Sequence, residues 1–326
     1  MTENTEKKDK SEIHKPVLLR EVIENLQIKD NDIFVDATLG NAGHTKAILE
    51  SGVTNLTIIG IDADRVAIER SKQTLEPWET NNQIFLEETY FDSIEKILEK
   101  KGLNHIDKIL FDLGFRSDQV DDAKRGFSFL NEGPLDMSFQ SSVKESDREN
   151  KLTASEIVND WQEDSIADII YGFGEEQFSR RIAKRIVEAR KEKKLAAQDD
   201  KTLSERIETT TELAEIIKSS VPVFYRNRKT HPATKTFQAL RIAVNSELER
   251  FKKALADSYE ALSPTGRIAV ISFHSLEDRI AKRFFKEKAK AGELRLITKK
   301  PITPSKEEIS ENPRSRSSKL RIIEKI

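Results

Sequence analysis

Short apolar runs alternate with helix-like segments over the first third of the chain. The segments between the runs, 44–51, 64–75 and 91–100, carry apolar residues at helical spacing. Continuous apolar runs are typical of strands buried on both faces, and their alternation with helices predicts an α/β fold around a parallel sheet. The predicted strands are IFVDAT (33–38), LTIIGID (56–62), NQIFLEE (82–88) and KILFDLG (108–114).

The alternation stops between residues 115 and 208, where helical patterns follow one another without a convincing strand. Two segments of a doubly wound sheet separated by helices indicate an insertion rather than a second sheet. We therefore predict a discontinuous sheet domain, 13–114 and 209–326, and an inserted helical domain, 115–208. Within the insertion, the polar stretch 192–208 is predicted to form a loop.

The α/β pattern resumes at a capping box, TTTE (209–212). One long helix is predicted next, because an apolar stripe runs from Phe237 through Leu248 to Leu262. The remaining predicted elements are a turn at SPTG (263–266), a strand at 267–274, a capping box at SLED (275–278) that opens another helix, and closing strands at 295–299 and 319–326.

Composition narrows the class of protein. The chain has 37% hydrophobic and 34% charged residues, and residues 1–12 are polar and predict a disordered tail rather than a signal peptide. Its apolar runs are too short to cross a bilayer, so we expect a cytoplasmic protein without membrane contact. The absence of cysteine excludes disulfides and thiolate zinc sites, and no metal is expected. A net charge of −2 means that any nucleic-acid surface must be a local patch.

Polar residues follow the predicted strands at the edge of the sheet where ligands bind in open α/β folds. Asp62 lies about twenty residues beyond the first glycine turn, where a carboxylate accepts hydrogen bonds from ribose hydroxyls. The ligand is therefore expected to contain an adenosine-like ribose. The residues at this edge are Asp36, Gly40, Gly43 and His44 after the first strand, Asp62 after the second, Asp112 and Gly114 after the fourth, and His274 and Ser275 after the fifth.

The first turn favours a ligand without phosphate. A dinucleotide requires G-x-G-x-x-G so that backbone N–H groups can approach a pyrophosphate, but this chain has Ala42 between Gly40 and Gly43. Asp36 would repel a pyrophosphate and suits a cation such as an ammonium group. A ribose, an ammonium and no phosphate together indicate S-adenosylmethionine. A nicotinamide-dependent oxidoreductase remains an alternative, supported only by the glycine turn and Asp62.

Seven stretches of the chain, in order from residue 14 to the C-terminal region, closely resemble the bacterial MraW/RsmH family. That family comprises S-adenosylmethionine-dependent 16S rRNA (cytosine-N4) methyltransferases. The resemblance implies a Rossmann-like class I methyltransferase sheet with an inserted all-helical domain, in agreement with the pattern above. The stretches are HKPVLLREV (14–22), DATLGNAGHT (36–45), LFDLGFRSDQVDDAKRGFSF (110–129), GPLDM (133–137), HPATKTFQALRIAVNSELE (231–249), ISFHSLEDRIAKRF (271–284) and NPRSRSSKLRI (312–322).

The resemblance also implies roles for individual residues. Ala42, Gly43 and His44 would contact the methionine end of the cofactor. Asp62 would bind the ribose, and Phe91 would flank the adenine. Asp112 and Gln119 would complete the pocket. Beside the apolar stripe of the long helix, Gln238, Arg241 and Asn245 would form a substrate-side row, joined by Ser275.

The chain departs from the family pattern at several positions. Ala42 replaces a common glycine, a change of little cost where the backbone has a negative φ. Phe115-Arg116 and Asp118 replace small residues and proline, and Ser138-Phe139-Gln140 replaces Arg-Met-Asp. These departures keep open a third function, a non-catalytic module that binds RNA or assists assembly.

Methylation of a cytosine amine requires an acceptor for the amine proton, because the nitrogen lone pair is delocalised into the ring. Asp112 is the natural acceptor from its place after the fourth strand, although it can also serve the cofactor alone. His274 is the alternative acceptor. The target base must be unpaired or flipped out, since a paired base hides its amine.

The expected partner is 16S rRNA within the small ribosomal subunit, and it requires a basic surface beside the site. Three clusters are candidates, and the sequence does not choose among them: 180–194, 225–231 and 314–321. Phe224 and Tyr225 lie at the second cluster and can stack on bases.

Overall fold

The computed structural model of the chain describes residues 15–115, 117–140 and 152–326, with the backbone alone at 117 and 118. The predicted disordered tail at 1–12 and the departure at Arg116 lie outside the described residues, and the side chain of Asp118 does as well. No helix in these described parts is both long and apolar enough to span a membrane.

The centre of the fold is a seven-stranded sheet in the order β3-β2-β1-β4-β5-β7-β6. Strands β1 to β5 are parallel, and β7 runs antiparallel to both β5 and β6. The predicted α/β class and parallel sheet are confirmed. The strands are β1 Ile33–Asp36, β2 Thr57–Asp62, β3 Gln83–Glu88, β4 Ile106–Asp112, β5 Leu262–Ser272, β6 Leu294–Leu296 and β7 Lys319–Lys325.

Helices cover both faces of the sheet and form a separate region after β4. The helices before β4 and those from residue 247 onward flank the sheet, and the helices between residues 117 and 245 form the helical region. In chain order the helices are α1 Leu19–Leu26, α2 Gly43–Glu50, α3 Arg65–Leu75, α4 Ile94–Lys101, α5 Ser117–Asp121, α6 Ala154–Asp160, α7 Glu163–Gly174, α8 Ser179–Asp199, α9 Thr210–Ser220, α10 Val223–Arg226, α11 Thr234–Asn245, α12 Glu247–Ala261, α13 Ser275–Lys290 and α14 Lys306–Glu311.

The sheet is buried on both faces because neighbouring residues of each strand point to opposite sides. In β1, Val35 packs into the core with α4 and α12, while Phe34 packs into the core with α1 and α2. Both side chains are fully buried. This explains why the strands are continuous apolar runs in the sequence.

The predicted turn at 263–266 is a bulge inside β5. The register of β4 and β5 jumps from Ile106–Leu262 to Lys108–Arg267, so residues 263–266 bulge out of the ladder. Thr265 has a left-handed φ of 62° there. The strand therefore starts five residues earlier than predicted, at Leu262, and the bulge keeps its later residues in register with β4.

The long helix predicted from Phe237 to Leu262 is two helices. Ser246 has φ 50° and separates α11 from α12, and Leu262 belongs to β5. The apolar stripe continues across the break, and its periodicity therefore gave no signal of it. The break places Glu247 at the start of α12, where the helix dipole favours a carboxylate.

The helical region is larger than the predicted insertion of residues 115–208. Its core combines Ile157 and Ile186 with Leu213, Ile217 and Leu240. Helices α9 to α11 therefore pack with α6 to α8, although the sequence pattern assigned them to the sheet domain. We place the end of the helical region at Ser246.

The predicted polar loop at 192–208 is helical in its first half. Helix α8 continues to Asp199. Within the stretch 192–208, only residues 200–208 are not helical. The segment 191–199 is rich in Lys, Glu, Leu and Ala, which are strong helix formers, and Ala197 is buried. Polarity alone was therefore a poor sign of a loop here.

The turn between β1 and α2 contains a backbone conformation that disfavours its residue. Ala42 has φ 59° and ψ 26° and is fully buried. The condition under which alanine would cost little, a negative φ, is not met. An L-residue in the left-handed region costs about 1–2 kcal/mol.

We expect Ala42→Gly to raise the free energy of unfolding by about 0.5–1 kcal/mol, because relief of the strained φ exceeds the added entropy of the unfolded chain. Urea denaturation measures the change. Ala47→Gly within α2 is the control and should lower the stability by about 0.5–1 kcal/mol. If both glycines destabilise the protein to the same extent, the strain at Ala42 is refuted.

Candidate active site

A cavity of about 640 Å³ opens at the carboxyl ends of the parallel strands. It extends from the β1–α2 turn past β2 and β4 to the start of α12 and α13. The cavity brings together six residues that the sequence predicted as site residues: Gly43, His44, Asp62, Phe91, Asp112 and Gln119. We call it the strand-tip cavity.

The carboxylate of Asp62 is fixed by the backbone of the neighbouring turns. Its Oδ2 accepts a hydrogen bond from the Gly40 N–H at 2.9 Å, and its Oδ1 accepts one from the Asp64 N–H at 2.8 Å. A carboxylate oxygen can accept more than one hydrogen bond. Asp62 therefore presents a fixed acceptor to the cavity.

The glycine turn is shaped by a close approach of the N-terminal segment. A Cβ on Gly43 would lie 2.6 Å from Cγ of Pro16, so only glycine fits without displacement. Gly43, Pro16 and Asn41 all line the strand-tip cavity. Oδ1 of Asn41 is buried and has no hydrogen-bond partner among the described residues. It is an acceptor available to a ligand donor.

Asp36 lies behind the turn rather than against the ligand. It is 1% exposed, and its oxygens accept from the Thr45 hydroxyl at 2.7 Å and the Thr38 N–H at 3.3 Å. Burial raises the pKa of Asp36 to about 6, although these hydrogen bonds lower it. The side chain braces the turn, and the structure gives no direct path from it to the predicted ammonium group.

Asp112 has a strongly perturbed carboxyl group. Burial, together with the nearby charges of Asp36 and Glu277, raises its pKa to about 7, although a hydrogen bond from the Gly114 backbone lowers it. Its Oδ1 is buried without a hydrogen-bond partner among the described residues. A carboxyl group of this kind, at a cavity wall, is suited to accept a proton from a ligand.

The orientation of His44 follows from its contact with the N-terminal segment. Nε2 lies 3.0 Å from the carbonyl oxygen of Val17, which can only accept, so Nε2 carries the hydrogen. Nδ1 then faces Oδ2 of Asp112 at 3.8 Å. His44 is 6% exposed and forms part of the wall behind Asp112.

Asp64 connects the cofactor side of the cavity to the start of the helical region. It caps α3, and its Oδ2 accepts from Nε2 of Gln119 at 3.1 Å and from Nη1 of Arg125 at 3.0 Å. Arg125 also donates to the carbonyl oxygens of Ser138 and Phe139. Asp64 was not predicted from the sequence as a site residue. An Asp at the start of a helical pattern is nevertheless typical of an N-cap.

His274, rather than Ser275, caps α13. Its Nδ1 accepts from the Glu277 N–H at 3.4 Å, and Glu277 accepts in return from the backbone N–H groups of Phe273 and His274. Nε2 of neutral His274 therefore carries the hydrogen and has no lone pair for a proton. This argues against His274 as the proton acceptor.

Ser275 is exposed and bonded across the two regions of the fold. Its hydroxyl donates to Glu175, whose other oxygen accepts from Nη2 of Arg279 at 2.7 Å. Glu175 follows α7, so this contact joins the helical region to α13. The predicted substrate contact of Ser275 is replaced here by a bond within the protein.

The predicted substrate-side row is also engaged within the protein. Asn245 is 2% exposed and bonds to the Met137 carbonyl and the Phe139 N–H, and Gln238 donates to the Phe173 carbonyl. Arg241 forms a two-point ion pair with Glu247 at 2.8 and 2.9 Å. These side chains position the walls of the cavity rather than face it.

Glu247, His274 and Glu277 form a group that resembles a metal site, with ligand atoms within 4.8 Å of one another among the described residues. The hydrogen on Nε2 of His274 argues against a metal there, and both oxygens of Glu247 already accept from Arg241. Burial raises the pKa of Glu247, while Arg241 opposes the shift. With Asp112, these glutamates make one end of the cavity acidic.

Aromatic rings face the same acidic end. Phe139 lines the cavity and stacks on Phe127 with ring centroids 5.5 Å apart. Phe273 lies against Gly114, where a Cβ would be 2.7 Å from its ring. Phe115 lines the cavity under the guanidinium of Arg241. The departures at 115 and 139 therefore add rings to the wall, which suits a flat base.

Comparison with known proteins agrees with this geometry. The sequence profile of the MraW methylase family matches residues 11–326. Curated relatives named ribosomal RNA small subunit methyltransferase H are 40% identical in Brevibacillus brevis, over 96% of this chain and 98% of that protein, and 43% identical in Acetivibrio thermocellus, over 96% and 99%. A crystal structure of an rRNA methylase from Streptococcus thermophilus has 10% identity and a TM-score of 0.39, over 95% and 92%, a likeness too weak to add to these matches.

We expect Asp112→Asn to stabilise the protein increasingly as the pH rises from 5 to 7. The folded pKa of Asp112, about 7, lies above its unfolded value of 3.8. As the pH rises between these two values, the folded wild type therefore loses stability, whereas the amide does not titrate. The difference in unfolding free energy grows by at most about 1.4 kcal/mol per pH unit.

Asp278→Asn is the control for the opposite sign. Burial alone would raise the pKa of Asp278, but the hydrogen bond and charge of Arg321 hold it below its usual value. This variant should therefore be less stable than wild type at neutral pH. Denaturant titrations at several pH values measure both changes, and a pH-independent effect of Asp112→Asn would contradict the perturbed carboxyl group.

Proposed function

Because the chain belongs to the MraW methylase family, we propose that it methylates the exocyclic N4 of a specific cytosine in the decoding region of 16S rRNA. The family and the named function of its relatives support the coarser assignment, an S-adenosylmethionine-dependent methyltransferase acting on small-subunit rRNA. The observation that carries the finer proposal is the buried, unpartnered Oδ1 of Asp112 at the wall of the strand-tip cavity. The substrate we propose is rRNA within the small ribosomal subunit.

The strand-tip cavity offers acceptors of the kind that the cofactor requires. When bound, S-adenosylmethionine supplies a methyl group activated by its sulfonium. The fixed carboxylate of Asp62 accepts from the ribose hydroxyls, and Phe91 flanks the adenine. Oδ1 of Asn41 accepts from the ammonium group at the methionine end. Asp36 acts from behind the turn by fixing Thr38 and Thr45.

The residues at the acidic end align the amine and take its proton. Holding two reactants in line supplies about 7–11 kcal/mol of barrier reduction. The bound cofactor would supply the methyl group to N4, and Asp112 would accept the N4 proton that the transfer releases. The negative charge of Glu277 favours the positive charge that develops on N4, whereas that of Glu247 is offset by its ion pair with Arg241.

The cytosine must leave its stack to reach this end of the cavity. Phe139, Phe273 and Phe115 offer ring faces to the flipped base. The carboxylate of Asp112 accepts from an amino group and repels a carbonyl oxygen, so cytosine is favoured over uracil at this position. This gives a physical reason for the exocyclic amine as the target.

The two alternative functions have weaker support. A nicotinamide-dependent oxidoreductase rests on the turn and Asp62 alone, and the match to a methylase family favours methyl transfer over hydride transfer. A non-catalytic module rests on the departures at 115–118 and 138–140. Of these, Phe115 and Phe139 line the cavity without displacing Asp112.

The function is tested by incubating the protein with labelled S-adenosylmethionine and either protein-free 16S rRNA or small subunits. We expect one N4-methylcytosine, identified by nuclease digestion and mass spectrometry. Asp112→Asn should lower kcat by at least about 100-fold, the scale of a lost general base, while cofactor binding falls less. Wild-type protein that binds the cofactor yet labels no form of the rRNA would support the non-catalytic module instead.

We expect Asp62→Ala to weaken cofactor binding by about 1–3 kcal/mol, because charged hydrogen bonds to the ribose are lost. Calorimetric titration with S-adenosylhomocysteine measures the change. Asp107→Ala is the matched control. Asp107 also holds the backbone in place, because it accepts from the Ile33 N–H at 2.9 Å, but it lies near the amino ends of the strands, opposite the cavity. Equal losses in both variants would mean that Asp62 acts through the fold alone.

A further inference from the structure

The chain has one long stretch without acidic residues, although 57 of its 326 residues are Asp or Glu. No acidic residue occurs between Glu215 and Glu247. The stretch contains basic residues throughout, and Arg226, Arg228 and Lys229 are concentrated in its middle. In a chain with a net charge of −2, such a stretch is a local positive patch.

The middle of this stretch is exposed and lacks carboxylate partners. Val223 and Phe224 of α10 are 67% and 64% exposed, and Arg228 and Lys229 follow them at the surface. Within the described ranges, neither Arg228 nor Lys229 lies in an ion pair with a carboxylate. The Arg228 guanidinium lies 4.6 Å from the ring centroid of Tyr225. We call residues 223–230 the basic–aromatic segment.

The other two basic clusters differ in this respect. On α8, four cations lie within 4.0 Å of carboxylates: Arg180 pairs with Asp164, Lys184 with Glu188, Arg185 with Glu192 and Lys193 with Glu212. In the C-terminal cluster, Lys319 and Arg321 pair with Asp278. Ion-paired cations contribute less to phosphate binding. Other cations of the two clusters, Arg181, Arg190, Lys191, Lys194 and Arg316, lie in no ion pair within the described ranges. The basic–aromatic segment is the strongest candidate because it combines its unpaired cations with an exposed aromatic ring.

Two contacts tie the segment to the walls of the strand-tip cavity. Tyr225 is buried and donates to Glu176 at 2.5 Å, one residue from Glu175, which bonds to Ser275 beside His274. Tyr225 is therefore unavailable for stacking on a base, contrary to the prediction. At the other end, the His231 ring lies 4.6 Å from the Phe129 ring.

The second contact leads to the base-facing wall. Phe129 belongs to the same segment as Phe127, on which the cavity-lining Phe139 stacks. The basic–aromatic segment is thus linked through Glu176 to the start of α13, and through His231, the residue after it, to the aromatic wall. This linkage favours a path along the segment for the nucleotides beside a base inserted into the cavity.

We propose that the basic–aromatic segment binds the single-stranded RNA next to the target nucleotide. Phe224 stacks on a neighbouring base, and Arg228 and Lys229 contact its phosphates. An exposed ring beside unpaired cations is the arrangement that binds single strands without sequence selection. The proposal rests on the proposed function, because it takes rRNA as the substrate.

Two variants test the proposal on the full-length protein with protein-free rRNA. Phe224→Ala should weaken RNA binding by about 5- to 150-fold, the range for one lost stacking contact. Arg228→Ala combined with Lys229→Ala should reduce the slope of log affinity against log salt by about 1.4, or about 0.7 per phosphate contact. KM for RNA should rise in both, while the Kd for S-adenosylhomocysteine and the Tm stay unchanged.

The controls match exposure and charge. Tyr171→Ala removes an aromatic ring that is 67% exposed on α7, and Arg180→Ala with Lys184→Ala removes two paired cations from α8. Both controls should bind RNA as wild type does. If the segment variants also bind protein-free rRNA normally, the proposal is overturned. Loss of activity on assembled subunits alone would likewise overturn it, because the contact would then be with a ribosomal protein.

The two proposals fail in distinguishable ways. If wild-type protein methylates rRNA and the segment variants bind RNA as well as wild type does, the proposed RNA surface is refuted and the proposed function stands. Wild-type protein that methylates no rRNA refutes the function, and the RNA affinity of the variants still decides the surface.

Discussion

Desolvation of the Asp112 carboxyl group is the interaction on which the site depends. Inside the protein this group loses water, meets the charges of Asp36 and Glu277, and keeps one oxygen without a partner among the described residues. Burial of this kind costs several kcal/mol unless a partner is supplied. The free energy gained by burying the apolar cores on both faces of the sheet offsets that cost. In the proposed mechanism a cationic cofactor returns Asp112 to its ionised form at neutral pH, so that the methyl donor and the proposed proton acceptor become ready together.

Hydrogen bonds from side chains hold the two regions of the fold together around this group. Asp64 joins the cap of α3 to Gln119 and Arg125, and Arg125 reaches the backbone of the segment that carries Phe139. Asn245 fixes the same segment from α11. Most of the polar side chains that surround the cavity therefore bond to the protein, and a few acceptors remain for ligands. This division limits motion of the reacting groups, which is where much of the rate enhancement of a methyl transfer arises.

Charge is distributed between two surfaces of opposite sign. The cavity end formed by Asp112, Glu247 and Glu277 is acidic and suits a cationic cofactor and a developing positive charge on the amine. The basic–aromatic segment at its edge is positive and suits the RNA backbone. An acidic cavity repels phosphates, so under the proposed function the flipped base enters it while the RNA backbone stays outside, on the basic surface. The nearly neutral net charge of the chain conceals this separation.

The sequence by itself determined the sheet, the strand-tip location of the site and the family, because buried strands and glycine turns leave local patterns and because seven motifs match in order. Gly43, His44, Asp62, Phe91, Asp112 and Gln119 were found in this way, and all line one cavity. Tertiary structure alone decided what depends on φ angles and on distant partners. The left-handed Ala42, the break at Ser246 and the helical end of α8 come from backbone geometry and helix propensity that apolar periodicity does not record. The protein partners of Asn245 and Ser275 include Met137 and Glu175, which lie far away in the sequence, and no local pattern encodes those contacts.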